Sequence, residues 1–96
     1  MHHRPVWITS DCDGRRVVLR AERRKHILDD HDELADGLDR ILAGLPSPSF
    51  RRRGRWPDEE WFYLEGFGPT RYVKVVVHYE QGEGRIVTVF PSRAFP

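Results

Sequence analysis

The sequence predicts an α+β fold, with N-terminal helices packed on one face of an antiparallel β-sheet. Two observations carry this. Leu34, Leu38, Ile41, Leu42 and Leu45 recur at helical spacing, which gathers them on one stripe of a helix. Later, runs rich in β-branched and aromatic residues are separated by Gly66-Phe-Gly-Pro69 and Gln81-Gly-Glu-Gly84, the pattern of strands joined by turns. The 96 residues suit a single domain spanning 1–96, close to the lower size at which one core suffices without disulfides or metal.

In chain order, short strands at Val6–Thr9 and Arg16–Arg20 flank the turn Asp11-Cys-Asp-Gly14 and predict a hairpin. A short polar helix follows at Ala21–Asp30, apolar only at Ile27 and Leu28. Asp30 with Glu33, or Asp32 alone, can cap a second, amphipathic helix over Glu33–Ala43, which Gly44 and Pro46 end. Strands at Trp61–Glu65, Tyr72–Glu80 and Arg85–Phe90 then form a meander, extended by residues near Phe50–Arg53. Alternation puts Val73, Val75, Val77 and Tyr79 on one face of the central strand and Tyr72, Lys74, Val76 and His78 on the other. The valine face is expected to meet the helices. Whether Thr88 shares a face with Lys74 depends on hairpin register, because a slip of one residue swaps the faces.

Charge is abundant but balanced. Charged residues are 32% of the chain while the net charge is +1, which excludes a polycation of the histone kind. Its distribution is uneven: residues 26–45 hold Asp29, Asp30, Asp32, Glu33, Asp36 and Asp39 against Arg40 alone, whereas Arg51, Arg52, Arg53 and Arg55 crowd the segment Phe50–Trp56. Arginines interleaved with aromatics supply cations for phosphates and π-faces for unstacked bases, as single-stranded nucleic acid requires. A lone cysteine, Cys12, cannot form an internal disulfide, and no apolar run is long enough to span a membrane. With no signal-peptide pattern, the expectation is a soluble cytoplasmic protein.

The segment His26-Ile-Leu-Asp-Asp-His31-Asp-Glu-Leu34 concentrates the chemistry. A histidine with an unperturbed pKa of about 6.5 can both give and take a proton near neutrality. Five residues apart, two rings leave an unbroken helix about 140° from one another, so they converge on one substrate only if the helix ends between them. Metal binding by His26, Asp29 and Asp30 competes with this reading. The chain offers no second histidine or cysteine cluster to complete such a site, so no metal or other cofactor is expected.

The order of these features resembles the phage-type branch of the superfamily of barnase, EndoU, colicin D and RelE-like nucleases, the BECR fold. The resemblance spans about residues 17–91. It rests on the His26-Ile pair, on His31 followed by Glu33-Leu34, on Tyr72-Val-Lys-Val-Val-Val77 and on Gly84-Arg-Ile-Val-Thr-Val-Phe-Pro91. It implies a BECR/RelE-like sheet carrying RNA on its open side and a metal-independent, toxin-like endoribonuclease. In that pattern His26, His31, Lys74 and Thr88 match the catalytic residues. Arg51, Arg52, Arg53, Arg55 and Arg71 are the expected RNA contacts, and His78 is a third histidine held in reserve. One histidine would take the ribose 2′-hydroxyl proton and the other would protonate the leaving 5′-oxygen, giving a 2′,3′-cyclic phosphate. Lys74, Arg71 and Thr88 would stabilise the phosphorane. The chain is less basic than ribosome-dependent toxins, which implies free RNA or tRNA as substrate, and a toxin would bring a cognate antitoxin or immunity protein. The alternative is a non-catalytic RNA- or protein-binding module in which Trp56, Trp61, Phe62 and Tyr63 form a stacking surface.

Overall fold

A computed structural model describes residues 6–93. The elements are β1 (Val6–Ser10), β2 (Arg16–Arg20), α1 (Ala21–Asp30), α2 (Leu38–Gly44), β3 (Phe50–Arg53), β4 (Glu59–Glu65), β5 (Tyr72–Glu80) and β6 (Glu83–Ser92), with one 3-10 turn at Asp32–Leu34. The six strands make one sheet in the order β1-β2-β6-β5-β4-β3. The α+β class is as expected, but the wholly antiparallel sheet is not. Every neighbouring pair is antiparallel except β2 and β6, which run parallel with Val17 beside Gly84 and Val18 beside Arg85. The N-terminal hairpin is therefore part of the main sheet. Val17, Val18 and Leu19 are buried in succession, and β2 has a neighbour at each edge.

The second helix also differs from expectation. After α1 the chain makes the turn at Asp32–Leu34 and starts α2 only at Leu38, with Gly37 as N-cap and no side-chain cap from Asp30 or Asp32. Asp36 and Gly37 are poor helix interiors, and Gly alone costs about 1 kcal/mol relative to Ala. The break does not disturb the apolar stripe. Leu34, Leu38, Ile41, Leu42 and Leu45 still enter one core with Val73, Val75, Val77, Phe62 and Leu64.

β5 and β6 fix the register that the sequence leaves open. Lys74 faces Phe90 and Val76 faces Thr88, but the next pair is Val77 with Ile86. Val87 is thus an extra residue, a bulge that shifts the phase of the strand. Ile86 and Val89 both point into the core, while Val87, Thr88 and Phe90 are half-exposed. The sheet therefore has an inner face under the helices and an outer face bearing Lys74, Val76, Thr88 and Phe90.

At the far end of the inner face sits the one buried charge among the described residues, Asp11. Its carboxylate accepts the Tyr79 hydroxyl at 2.6 Å, the Asp13 and Arg15 amides at 2.8 and 2.9 Å, and Arg15 Nε at 2.8 Å. Arg15 continues to Glu60 at 2.9 Å, and Arg51 bonds both Glu60 and Asp13. This network ties the β1–β2 turn to three strands. Burial alone would push the Asp11 carboxyl up, but the Tyr79 hydroxyl, the two amides and the Arg15 charge outweigh it and hold it below its usual 3.8. A depressed folded pKa adds stability above the unfolded value and loses it as pH falls through the folded one. Asp11→Asn is expected to cost about 1–3 kcal/mol near neutrality, since it weakens several bonds to a buried group. Urea unfolding of both proteins from pH 7 downward should show the gap closing below pH 3.8; a gap independent of pH would refute the assignment.

Candidate active site on the outer sheet face

Parallel pairing of β2 with β6 is brief, and where it ends the chain becomes α1. This helix takes the place of β2 beside the second half of β6. Glu22 and Arg23 share a cleft with Arg85, Ile86 and Val87, and at the other end the His31 ring stacks on Phe90 with centroids 6.2 Å apart and planes 29° apart. The two ends agree with elementary geometry. From Arg23 to His31 the helix advances about 12 Å at 1.5 Å per residue, and from Val87 to Phe90 the strand advances about 10 Å at 3.3 Å per residue.

His26 lies between these two ends of α1. It lies four residues after Glu22 and three after Arg23, hence one turn further along the same side of α1, and it is exposed. His31 ends the helix: its amide still bonds the Ile27 carbonyl, but its own φ of −139° leaves the helical region. The break thus falls after Asp30, and His31 closes over the strand. Glu33 Oε2 lies 3.7 Å from His31 Nδ1, too far for a hydrogen bond. Among the described residues, no hydrogen bond or ion pair joins His26 to a protein group.

Lys74 completes the group from β5. Its Nζ stands 3.2 Å from the Trp61 ring centroid, 5.3 Å from that of Phe90 and 5.8 Å from that of Tyr63. Burial among these rings pushes the ammonium pKa down; Glu59 acts against this and Arg52 adds to it. His31 and Lys74 therefore both touch Phe90, and Thr88 lies two residues from Phe90 on the same face. His78 shares that face but is four residues from Lys74, about 13 Å along the strand, which separates it from this group.

The arginines divide. Arg51, opposite Phe62 on the inner side, is held by Asp13 and Glu60, and those bonds, led by Asp13, raise its pKa against the opposing effect of burial. Arg71 pairs with Glu65 at 3.0 Å. Arg52 sits opposite Trp61 and Arg53 opposite Glu60, while the Arg55 guanidinium lies 5.5 Å from the Trp56 ring. Among the described residues Arg52, Arg53 and Arg55 have no carboxylate partner. Arg51, Arg52 and Arg53 line a cleft of about 350 Å³ with Pro57, Glu59 and Glu60.

The expected stacking surface needs correction. Phe62 points into the core, and Tyr63, on the opposite face of β4, is buried too, its ring edge-on to Tyr72 at 6.4 Å. Trp61 is half-buried and Trp56 is exposed. Phe90 is the site residue that sequence reasoning missed; its position two residues after Thr88 is the signal that could have found it. No group of three or more His, Cys, Asp or Glu side chains among the described residues is placed to hold a metal. No helix there is long and apolar enough to cross a membrane. Searches against protein-family models, curated proteins and solved structures give no match to this chain.

Proposed function

We propose that this chain is a metal-independent endoribonuclease on a BECR/RelE-like scaffold, with His26, His31, Lys74 and Thr88 around one phosphate. The observation that supports it is the stacking of His31 on Phe90, the ring that the Lys74 ammonium also approaches. His31 and Lys74, far apart in sequence, both lie against Phe90, and Thr88 is two residues from it on the same face. One histidine takes the proton of the 2′-hydroxyl, the freed oxygen attacks the adjacent phosphorus, and the other histidine protonates the departing 5′-oxygen. The products are a 2′,3′-cyclic phosphate and a 5′-hydroxyl. Lys74 opposes the charge that builds on the phosphorane and Thr88 donates a hydrogen bond to a nonbridging oxygen, contributions of the kind whose removal costs about 10²–10³ in rate.

A second reading has its own observation. Lys74 already lies against the Trp61 ring, a cation–π contact that occupies the charge, and this favours a non-catalytic RNA-binding module with an aromatic face. Incubation with labelled total RNA and tRNA in EDTA between pH 5 and pH 8 separates the two. The nuclease cuts RNA to cyclic-phosphate ends and spares DNA. RNA that is bound but left intact throughout rejects catalysis in favour of the module.

A further inference from the structure

Beside the histidine site, three clefts on the outer face meet at Arg85. The first, of about 270 Å³, runs between Arg20, Glu22 and Arg23 and the start of β6. The second, of about 190 Å³, takes in Val18, Arg20, His78 and the β5–β6 turn. The third, of about 230 Å³, lies among Trp56, Glu59, His78 and Val87. Arg85 lines all three, so they join into one groove from Trp56 across β5 and β6 to the junction of β2 with α1.

Arg20, Arg23 and Arg85 line the groove together with Glu22, Glu59, Glu80 and Glu83. Among the described residues Arg20, Arg23 and Arg85 are in no ion pair. Two neighbouring carboxylates are already engaged: Glu83 holds Arg16 at 3.2 Å, and Glu59 accepts the Trp61 indole N–H at 2.8 Å and the Trp56 amide at 3.2 Å. At the far end the Trp56 side chain is 63% exposed, an unusual position for a large aromatic ring with no core to join. Arg85 lies three residues along β6 from Thr88, about 10 Å, so the groove opens next to the histidine site.

We propose that this groove is a subsite for single-stranded RNA. Arg85, with Arg20 and Arg23, takes a backbone phosphate beyond the scissile one, and Trp56 stacks an unpaired base. The inference rests on the ribonuclease reading and names its substrate class. A duplex cannot use the groove, because its bases are already stacked and paired and have no free π-face for Trp56.

The test uses a fluorescent 2′-O-methyl RNA octamer, which cannot be cleaved by 2′-hydroxyl attack, free or annealed to its complement. Anisotropy titrations at several salt concentrations compare the full chain with Trp56→Ala and Arg85→Gln, both surface changes, with thermal melts to verify folding. The single strand is expected to bind more tightly than the duplex. Trp56→Ala should lose about tenfold in affinity through the missing stack. Arg85→Gln should reduce the slope of log K against log salt by about 0.7. Equal binding of duplex and single strand, or variants that bind as the parent does while the parent still cleaves RNA, overturns the subsite and leaves the ribonuclease reading intact. A parent chain that neither binds nor cleaves removes both.

Discussion

His31→Ala is expected to slow RNA cleavage by roughly 10²–10⁴ and to leave RNA affinity nearly unchanged. The separation follows from the role: a proton donor or acceptor acts in the transition state and adds little to ground-state binding. His31 also packs on Phe90, so an alanine there removes a contact as well as a base. His31→Phe keeps a ring against Phe90 without the imidazole and should be as slow as the alanine variant, while melting close to the parent. His26→Ala, at an exposed position, should cut activity to a similar extent with little effect on stability. Single-turnover cleavage of labelled RNA in EDTA measures all three. If either His31 variant cuts as fast as the parent, the histidine-pair mechanism is wrong and the binding-module reading takes its place.

The second large effect concerns the core. Leu38 is fully buried at the start of α2, in the cluster that includes Val73, Val75 and Val77. Leu38→Ala is expected to cost about 2–5 kcal/mol, the lost transfer energy plus that of the cavity left behind. For a domain whose total stability is about 5–15 kcal/mol, that is a substantial part. Urea unfolding gives the number, and a loss below about 0.5 kcal/mol would place Leu38 outside the energetic core.

α1 and β5 were legible from local pattern, and their bounds, Ala21–Asp30 and Tyr72–Glu80, coincide with those read from the sequence. β5 in particular is a nine-residue run rich in β-branched and aromatic residues. The parallel pairing of β2 with β6 was not legible, because nothing in Arg16–Arg20 specifies which strand its second edge will meet. The bulge at Val87 was hidden for a related reason. It arises between two strands, and only their joint register reveals that Ile86 and Val89 share the core. At the candidate site, residue chemistry nominated His26, His31, Lys74 and Thr88, but the role of Phe90 depends on α1 lying along β6, a contact between segments some sixty residues apart. The split between Arg51 and Arg52 follows from alternation in β3. It became visible only once Asp13 and Glu60 were seen to hold one and not the other.

The contact between Val17 and Gly84 also governs when the molecule can assemble. β6 is made some sixty residues after β2, so the chain carries an open β2 edge until β6 has emerged. Non-local closure of this kind slows folding and leaves a strand edge available to other chains in the interval. His31 is likewise made almost sixty residues before Phe90, the ring on which it stacks. A chain stopped before Phe90 therefore keeps His31 while lacking the ring it packs on.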